Sequence, residues 1–281
     1  MSEAAHADLR VMKDLLDIMS RLRDPNDGCP WDLRQDFESI VPFTIEETYE
    51  LAEAIALGDY DQVRDELGDV LFQVIFYAQI ASERQLFNFK DVAEGISRKL
   101  IRRHPHIFDN PDGDPVSESE VKDRWEQIKA GERENKQLSG AMDDVPQALP
   151  ALSRSQKLQK RAARVGFDWP ELEGLRSKIK EEMTELDEAI CLGNRADIEA
   201  EIGDVFLATV NLARHLGIDA ESSLRRANTR FEQRFRFMEQ SAASEGTDLA
   251  SESLDELEAR WQKAKTHLGA VSYTHLRAHE T

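Results

Sequence analysis

Two copies of one acidic motif constrain the fold of this chain more than any other feature. Each copy has the form Glu-Glu-x-x-Glu, then fifteen residues, then Glu-x-x-Asp, and the copies lie 135 positions apart. The acidic residues are Glu46, Glu47, Glu50, Glu66 and Asp69 in the first copy, and Glu181, Glu182, Glu185, Glu201 and Asp204 in the second. Neighbouring residues keep the same register, so we interpret the chain as an internal duplication of one helical unit.

The spacing within each copy predicts a metal site. Carboxylates three residues apart lie on neighbouring faces of a helix. Gly193 and Asn194, which stand between Glu185 and Glu201, are typical of the end of one helix and the start of the next. The resulting hairpin brings four carboxylates together, and their charge requires a cation. Ligands that offer only oxygen select a hard ion, so we expect Mg2+, with Mn2+ as a substitute.

Asp69 and Asp204 each stand in an apolar helical stretch, at 68–76 and 203–210. We expect both carboxylates to be at least partly buried, which is costly unless they are paired, hydrogen-bonded or bound to a metal. An isolated Glu-x-x-Glu is usually a solvated helix face, but two intact copies at identical spacing favour a site. A polar layer shared by two bundles stays open as the structural alternative.

The length of the chain limits the number of domains, and its net charge limits the class of partner. A chain of 281 residues accommodates two domains. The net charge of −19 excludes a broad nucleic-acid-binding surface. Cys29 and Cys191 are too few for a disulfide framework and fit a reducing cytosol. The first ten residues lack a signal pattern and no apolar run is long enough to span a bilayer, so we expect a cytoplasmic protein without a membrane segment.

Helical periodicity predicts an all-α fold of two tandem bundle domains, each with four long helices and a leading one. The predicted helices span about 9–23, 44–58, 60–83, 88–104 and 119–132, then 152–165, 175–191, 196–216, 220–241 and 254–267. Thr44 and Glu47 have the spacing of a capping box, which would start the second helix at Thr44 and compete with metal binding by Glu47. The predicted domains are 1–130 and 151–268, with a linker over 131–150 and a disordered or non-native tail over 269–281.

Both halves also carry cationic and aromatic pairs after the acidic motif. These pairs are Lys99 with Arg103 and Trp125 with Lys129 in the first half, and Arg230 with Arg234 and Trp261 with Lys265 in the second. The members of each pair are four residues apart and share a helix face. Such cations can hold phosphate oxygens, and a Trp ring can stack on a base or pack in the protein. Their recurrence favours a nucleotide polyphosphate as the ligand. The Glu-x-x-His spacing of di-iron bundles does not occur at these acids, which counts against oxygen chemistry.

Over about residues 9–268, the chain resembles the MazG family of all-α nucleoside triphosphate pyrophosphohydrolases. The doubled acidic motif carries the resemblance, together with Cys29-Pro30-Trp31-Asp32, Arg102-Arg103-His104-Pro105-His106, Val165-Gly166-Phe167-Asp168-Trp169 and Asn211-Leu212-Ala213-Arg214-His215-Leu216-Gly217. Trp31 is expected to pack at the mouth of the bundle or against a base. The resemblance implies a homodimer, Mg2+ dependence and cleavage of ATP, deoxynucleotides and other nucleoside triphosphates to a monophosphate and pyrophosphate, which cleanses the nucleotide pool.

The resemblance also implies roles for individual residues, with the second half as the catalytic domain. Its implied Mg2+ ligands and catalytic residues are Glu182, Glu185, Glu201 and Asp204, and its implied nucleotide contacts are Lys178, Glu181, Arg230, Arg234, Trp261 and Lys265. In the first half, Glu47, Glu50, Glu66 and Asp69 match the same ligand motif.

One carboxylate, for which Glu182 is the candidate although the sequence does not single it out, would orient or deprotonate a water that attacks the α-phosphorus, while Arg230 and Arg234 stabilise the leaving charge. Two alternatives stay open. One is a non-catalytic helical module that binds a regulatory partner and uses the metal structurally. The other is a hydrolase that attacks the β- or γ-phosphorus and releases orthophosphate.

Overall fold

The computed structural model describes residues 3–109, 117, 120–121, 124–125, 128, 131 and 140–278. Within these residues the secondary structure is helical and contains no strand, which confirms the all-α prediction. The chain divides into two compact units, Met1–Glu132 and Arg133–Thr281, called unit 1 and unit 2 below. None of the helices in the described ranges combines the length and apolar character that a membrane crossing requires.

Unit 1 is built around a hairpin of two long helices. Its helices are α1 (Glu3–Leu22), α2 (Phe37–Leu57), α3 (Tyr60–Glu83), α4 (Phe89–Arg103) and the single turn α5 (Pro105–Phe108), with a short 3-10 turn at Asp32–Arg34. Helices α3 and α4 match the predicted spans closely. In the predicted fifth helix, described residues 120, 121, 124, 125, 128 and 131 are helical, and Lys129 lies outside the described residues.

Helix α2 begins well before the predicted start at Thr44. Asp36 caps it, because the Asp36 carboxylate accepts hydrogen bonds from the backbone N–H groups of Glu38 and Ser39 at 3.1 and 2.9 Å. Ser39 Oγ accepts a hydrogen bond from the Asp36 N–H in return, at 2.9 Å. The capping box therefore joins Asp36 and Ser39, and the predicted box at Thr44 and Glu47 is wrong. Since Glu47 lies inside the helix, it has no capping role to compete with metal binding.

Unit 2 repeats the hairpin. Its helices are α6 (Ala151–Arg164), α7 (Leu172–Leu192), α8 (Arg195–His215), α9 (Ala220–Glu245) and α10 (Leu254–Ala278), with a 3-10 turn at Leu249–Ser251. All five were predicted, and α10 extends to Ala278, beyond its predicted end at residue 267.

Two left-handed glycines close the hairpins in both units. Gly58 ends α2 with φ 74° and Gly193 ends α7 with φ 73°. Glycine adopts this left-handed conformation at little cost because it has no Cβ. Asp59 then caps α3 through the Gln62 N–H, and Asn194 caps α8 through the Ala196 N–H, each at 3.1 Å. The two-residue connections place α2 against α3 and α7 against α8, so the halves of each acidic motif face each other.

The core of unit 1 holds its hairpin against α1. Met19, Ile40, Ile75, Phe76 and Ile80 form this core, and none is more than 1% exposed. Each such side chain contributes about 1.5–3 kcal/mol on burial. Among the described residues of unit 2, the buried apolar side chains are mostly small; they are Leu175, Ala189, Ala208, Val210, Ala220, Met238, Ala242 and Ala264.

Candidate metal and nucleotide site

In each unit, three carboxylates from the two hairpin helices converge on one point. Their oxygen atoms lie within 4.8 Å of one another. The members are Glu47, Glu66 and Asp69 in unit 1 (cluster 1), and Glu182, Glu201 and Asp204 in unit 2 (cluster 2). The first helix supplies one carboxylate and the second supplies two, three residues apart. Both clusters therefore follow from the same motif and the same hairpin.

The chemistry of cluster 1 fits a hard divalent cation. All its donors are oxygens, as Mg2+ prefers. Glu66 Oε2 is buried and has no hydrogen-bond partner among the described residues, which is costly for a carboxylate oxygen unless a cation satisfies it. Partial loss of water, followed by repulsion from Asp69 and Glu50, raises the pKa of Glu47. A bound cation would relieve this repulsion.

The fourth predicted ligands, Glu50 and Glu185, lie outside the two clusters but face them. Both side chains are exposed. The pKa of Glu185 is raised by partial loss of water and then by repulsion from Glu182, with the Lys178 ammonium acting in the opposite direction. The pKa of Glu50 is raised by partial loss of water and then by Glu66. The cluster carboxylates therefore repel Glu50 and Glu185 electrostatically, although neither residue is among the carboxylates whose oxygens lie within 4.8 Å of one another.

The expectation that Asp69 and Asp204 are partly buried is wrong, since both are exposed. The buried member of cluster 2 is Glu182, whose side chain is 8% exposed. Apolar neighbours do not bury Asp204 because Phe206 and Leu207 are themselves 60% and 46% exposed.

Lys178 lies beside cluster 2. Its Nζ donates hydrogen bonds to Glu181 Oε1 at 2.8 Å and lies 2.9 Å from Glu182 Oε1. These two hydrogen bonds, to Glu181 and then to Glu182, hold the pKa of Lys178 well above its ordinary value. Unit 2 thus places a permanent positive charge against a buried carboxylate of the cluster.

The cationic and aromatic residues of unit 2 meet between α9 and α10. The Arg234 guanidinium lies over the Trp261 ring at 5.6 Å from its centroid, and the Phe231 and Trp261 rings are 5.3 Å apart. Arg230 and Lys265 are exposed on the same two helices. The predicted pairs are therefore joined by contact between Arg234 and Trp261.

The corresponding residues of unit 1 are joined differently. Trp125 Nε1 donates a hydrogen bond to the Arg103 carbonyl at 2.8 Å, and its ring meets His104 edge-on at 5.2 Å. Lys99 is exposed on α4. The Trp125 side chain therefore packs on the end of α4, where it contacts the Arg103 carbonyl and the His104 ring.

Sequence reasoning missed a polar layer beside cluster 1. Thr44 Oγ1 shares a hydrogen bond with the Tyr77 hydroxyl at 3.0 Å and donates to Gln73 Oε1 at 3.4 Å. Gln73 is only 5% exposed and follows Asp69 by one turn of α3. Polar residues at 73 and 77 within an apolar run were the available signal. Their partner Thr44 could not be identified while it was assigned to a helix cap.

Sequence reasoning also missed an ion pair that fixes the loop before α7. Asp168 Oδ1 accepts hydrogen bonds from Arg214 and from His215 Nε2, the latter at 2.8 Å. Partial burial acts to raise the pKa of Asp168, but the hydrogen bonds from Arg214 and His215 outweigh it and hold the pKa below its ordinary value. This contact ties residues 166–170 to the end of α8.

Comparison with known proteins gives consistent matches over both units. The model of the MazG nucleotide pyrophosphohydrolase domain matches residues 35–108 and 171–236. The chain is 51% identical over 253 residues to the nucleoside triphosphate pyrophosphohydrolase of Escherichia coli K12, a match that covers 89% of this chain and 95% of that protein. It is 42% identical over 255 residues to the nucleoside triphosphate pyrophosphohydrolase/pyrophosphatase MazG of Thermotoga maritima, covering 91% and 96% of the two chains. The matched ranges of the domain model contain every member of clusters 1 and 2.

Proposed function

Because this chain belongs to the MazG nucleotide pyrophosphohydrolase family, we propose that it hydrolyses nucleoside triphosphates between the α- and β-phosphates. The products are a nucleoside monophosphate and pyrophosphate, and the reaction removes triphosphates from the nucleotide pool. The observation that carries the proposal is the convergence of Glu182, Glu201 and Asp204 within 4.8 Å, with Lys178 Nζ 2.9 Å from Glu182. Carboxylates for a metal and a fixed cation for phosphate are what such a substrate requires.

The metal is proposed to be Mg2+, with Mn2+ as a substitute, held by Glu182, Glu201 and Asp204 of cluster 2, with Glu185 beside it. When bound, the ion neutralises phosphate charge and lowers the pKa of a coordinated water. The fit rests on the donor set, which consists only of carboxylate oxygens.

Glu185 is the carboxylate best placed to accept the proton of the attacking water. Glu182 is already engaged by Lys178, whereas Glu185 is exposed and lies outside the cluster. Partial loss of water, then repulsion from Glu182, raises the pKa of Glu185, and a raised pKa makes a carboxylate a stronger general base. Glu185 therefore receives the proton while the cluster stays ionised.

Cationic side chains stabilise the phosphates. Lys178 lies against cluster 2 and contacts an α-phosphate oxygen when substrate arrives. Arg234 is held over the Trp261 ring, which orients its guanidinium. Arg234, Arg230 and Lys265 bind the β- and γ-phosphates and stabilise the charge on departing pyrophosphate.

We further propose that the protein acts as a homodimer in the cytoplasm. Large apolar side chains on α7 and α8 are exposed in the single chain: Met183 by 45%, Ile202 by 39%, Phe206 by 60% and Leu207 by 46%. They lie next to the cluster 2 residues in sequence. Several large apolar side chains left exposed on one pair of helices favour a contact between subunits.

The direct test is to incubate the full chain with ATP, dATP or GTP and Mg2+ and to resolve the products by anion exchange. We expect monophosphate and pyrophosphate in equal amounts, and no turnover in excess EDTA. Glu185→Gln should abolish turnover, whereas Glu50→Gln in unit 1 and the matched Glu188→Gln on α7 should retain it.

Other products would contradict the proposal. Orthophosphate from the triphosphates would move the attack to the β- or γ-phosphorus. Thermal stabilisation by Mg2+ without any product would instead indicate a non-catalytic module in which the metal is structural.

A further inference from the structure

A pocket lies in unit 2 where the loop before α7 meets α6 and α8. Its volume is about 290 Å3, near the lower end of the range for small-molecule sites. Its polar and aromatic walls are Gln159, Phe167, Asp168, Trp169, Asn211 and Arg214. The pocket is therefore suited to a single planar ring system.

The residue at position 211 distinguishes this part of unit 2 from unit 1. Asn211 stands 135 positions after Phe76, so the two residues occupy equivalent places on α8 and α3. Phe76 is fully buried in the core of unit 1. Burial of a Phe contributes about 1.5–3 kcal/mol. Unit 2 lacks this contribution and has an amide on the wall of a pocket instead.

Two amide side chains of the pocket are held in fixed orientations. Asn211 Oδ1 accepts a hydrogen bond from Arg214 Nε at 2.9 Å, which leaves the Asn211 NH2 group as a donor. Gln159 Nε2 donates to the Leu207 carbonyl at 2.8 Å. Gln159 Oε1 is buried and has no hydrogen-bond partner in the described part of the chain. The pocket therefore offers a donor and an acceptor, the groups that recognise the edge of a nucleobase.

Two aromatic rings and an ion pair complete the walls. Phe167 is 81% exposed and Trp169 is 42% exposed, so both rings have surface open to a ligand. Asp168 stands between them and accepts hydrogen bonds from Arg214 and His215 on α8. The loop is therefore anchored while its rings stay accessible. An aromatic face can stack on any base, because every base has a π-face.

The Trp169 ring lies on the face of α7 that leads to cluster 2. A Cβ on Gly174 would lie 2.6 Å from Trp169 Cε3, so the ring packs directly on the backbone of α7 at Gly174. Gly174, Lys178 and Glu182 follow one another at intervals of four residues and share a helix face. Trp169 is therefore two turns from the cluster 2 carboxylate of α7, with Lys178 between them.

Asn211 has the matching place on α8. It follows Asp204 by seven residues, which is two turns along the same face. At a rise of about 1.5 Å per residue, the pocket lies roughly 10–12 Å from cluster 2 along both helices. This separation matches the span from the base to the β-phosphate of an extended nucleotide.

Trp261, the other aromatic candidate for stacking in unit 2, is already engaged by protein groups. Its ring lies 5.3 Å from the Phe231 ring and carries the Arg234 guanidinium at 5.6 Å from its centroid. Trp169 therefore offers the more accessible ring.

We propose that this pocket binds the base of the nucleoside triphosphate. The base stacks on Trp169, and its edge is read by the Asn211 NH2 group and Gln159 Oε1. The inference rests on the proposed function, because it places the sugar over α7 between Trp169 and Lys178 and the phosphates at cluster 2. Asn211 and Trp169 are then the residues that set base preference.

The first test compares a nucleotide with a probe that has no base. Binding of α,β-methylene-ATP and of inorganic tripolyphosphate, each with Mg2+, is measured by isothermal titration of the full chain. Trp169→Leu should raise Kd for α,β-methylene-ATP roughly tenfold to a hundredfold and leave Kd for tripolyphosphate unchanged. The matched control is Phe87→Leu in unit 1, since Phe87 is 42% exposed but lies between α3 and α4; both Kd values should stay at those of the parent chain.

The second test changes the chemistry of the edge. Asn211→Asp keeps the oxygen that accepts from Arg214 but replaces the NH2 donor with an acceptor. Guanine offers two adjacent N–H donors to a carboxylate and adenine offers one, so the ratio of kcat/KM for GTP to that for ATP should rise roughly tenfold. A residue with a purely structural role would change both values equally.

Three results separate this inference from the proposed function. If Trp169→Leu weakens both probes equally, the ring supports the fold around cluster 2 and the inference is overturned. If neither Kd changes and Asn211→Asp leaves the GTP to ATP ratio unaltered, the base binds elsewhere, although release of pyrophosphate still upholds the proposed function. If Trp169→Leu weakens only α,β-methylene-ATP but the parent chain releases no pyrophosphate, the base pocket stands and the proposed function fails.

Discussion

Replacing Glu47 with Gln should stabilise the metal-free protein and abolish its stabilisation by Mg2+. Oxygens of Glu47, Glu66 and Asp69 lie within 4.8 Å of one another. Two unit charges at that distance repel by about 0.9 kcal/mol in bulk water and about 3.5 kcal/mol at an effective dielectric constant of 20. Because Asp69 is exposed and Glu47 only half-buried, values near the lower limit apply. Removing the Glu47 charge, which ends two repulsions, should raise the free energy of unfolding of unit 1 by about 1–3 kcal/mol.

The assay is thermal unfolding at pH 7, followed by circular dichroism, in excess EDTA and again in Mg2+. An Asp204→Asn background keeps cluster 2 from responding to the metal. With Mg2+ at a hundred times its Kd, the background protein should gain about 2.7 kcal/mol, which shifts Tm by several degrees. The Glu47→Gln variant should start from a higher Tm in EDTA and gain nothing from Mg2+.

Glu46→Gln is the matched control, since it removes the same charge from the same turn of α2 without touching cluster 1. It should leave the response to Mg2+ intact. Our reasoning is refuted if Glu47→Gln is less stable than its background in EDTA, or if it keeps the full Mg2+ response. The first result would mean that the carboxylate makes a favourable contact in the metal-free protein, and the second that the ion binds elsewhere.

Three further predictions concern both units. The pKa of Glu185 is raised by partial loss of water and repulsion from Glu182, so ionised Glu185 destabilises the folded state above that raised pKa. The metal-free protein should therefore gain stability as pH falls through that raised pKa toward the ordinary pKa of a glutamate, and Mg2+ affinity should fall over the same window because protons compete for the carboxylate. Urea unfolding in EDTA and Mg2+ titration at each pH measure the two trends, and flat profiles would contradict them. Lys178→Met should lower kcat/KM roughly a hundredfold in steady-state assays. The matched control is Lys180→Met, since Lys180 is exposed and its loss should leave kcat/KM unchanged. Equal kcat/KM values for the two variants would show that Lys178 is not part of the site. Thr44→Val should cost about 1 kcal/mol in urea unfolding, because the Tyr77 hydroxyl at 3.0 Å loses its partner, and unchanged stability would show that the bond is dispensable.

Local signals predicted the hairpin of each unit accurately. Gly193 favours the left-handed conformation that ends α7, and Asn194 caps α8, so both boundaries depend on residues within one turn of the break. The identical hairpin in unit 1 follows from the same signals at Gly58 and Asp59. Once both helices are fixed, the three-residue spacing places Glu66 beside Asp69 and Glu201 beside Asp204. Glu50 and Glu185, at the same spacing on the first helix, lie outside the clusters.

The start of α2 was predicted wrongly from a local signal. The spacing of Thr44 and Glu47 placed the start at Thr44, whereas the structure starts the helix after Asp36 and continues it through Pro42. The contact of Thr44 with Tyr77 on α3 requires Thr44 to lie inside the helix. The helix start at Phe37 therefore goes together with the hydrogen bond between Thr44 and Tyr77. The residues around Thr44 in the sequence do not reveal this bond.

The sequence by itself determined the helical class, the duplication and the facing of the acidic residues across each hairpin, because these depend on spacing along a helix and on the residues that end it. It predicted four carboxylates per hairpin, and the structure brings three of them within 4.8 Å of one another. Only the tertiary structure decided how each site is surrounded. It left Asp204 exposed although its neighbours are apolar, set Arg234 over the Trp261 ring, and placed Trp31 against Phe43. Burial and partnership depend on which surfaces meet across the fold, and that is a property of the packed molecule that no local spacing encodes.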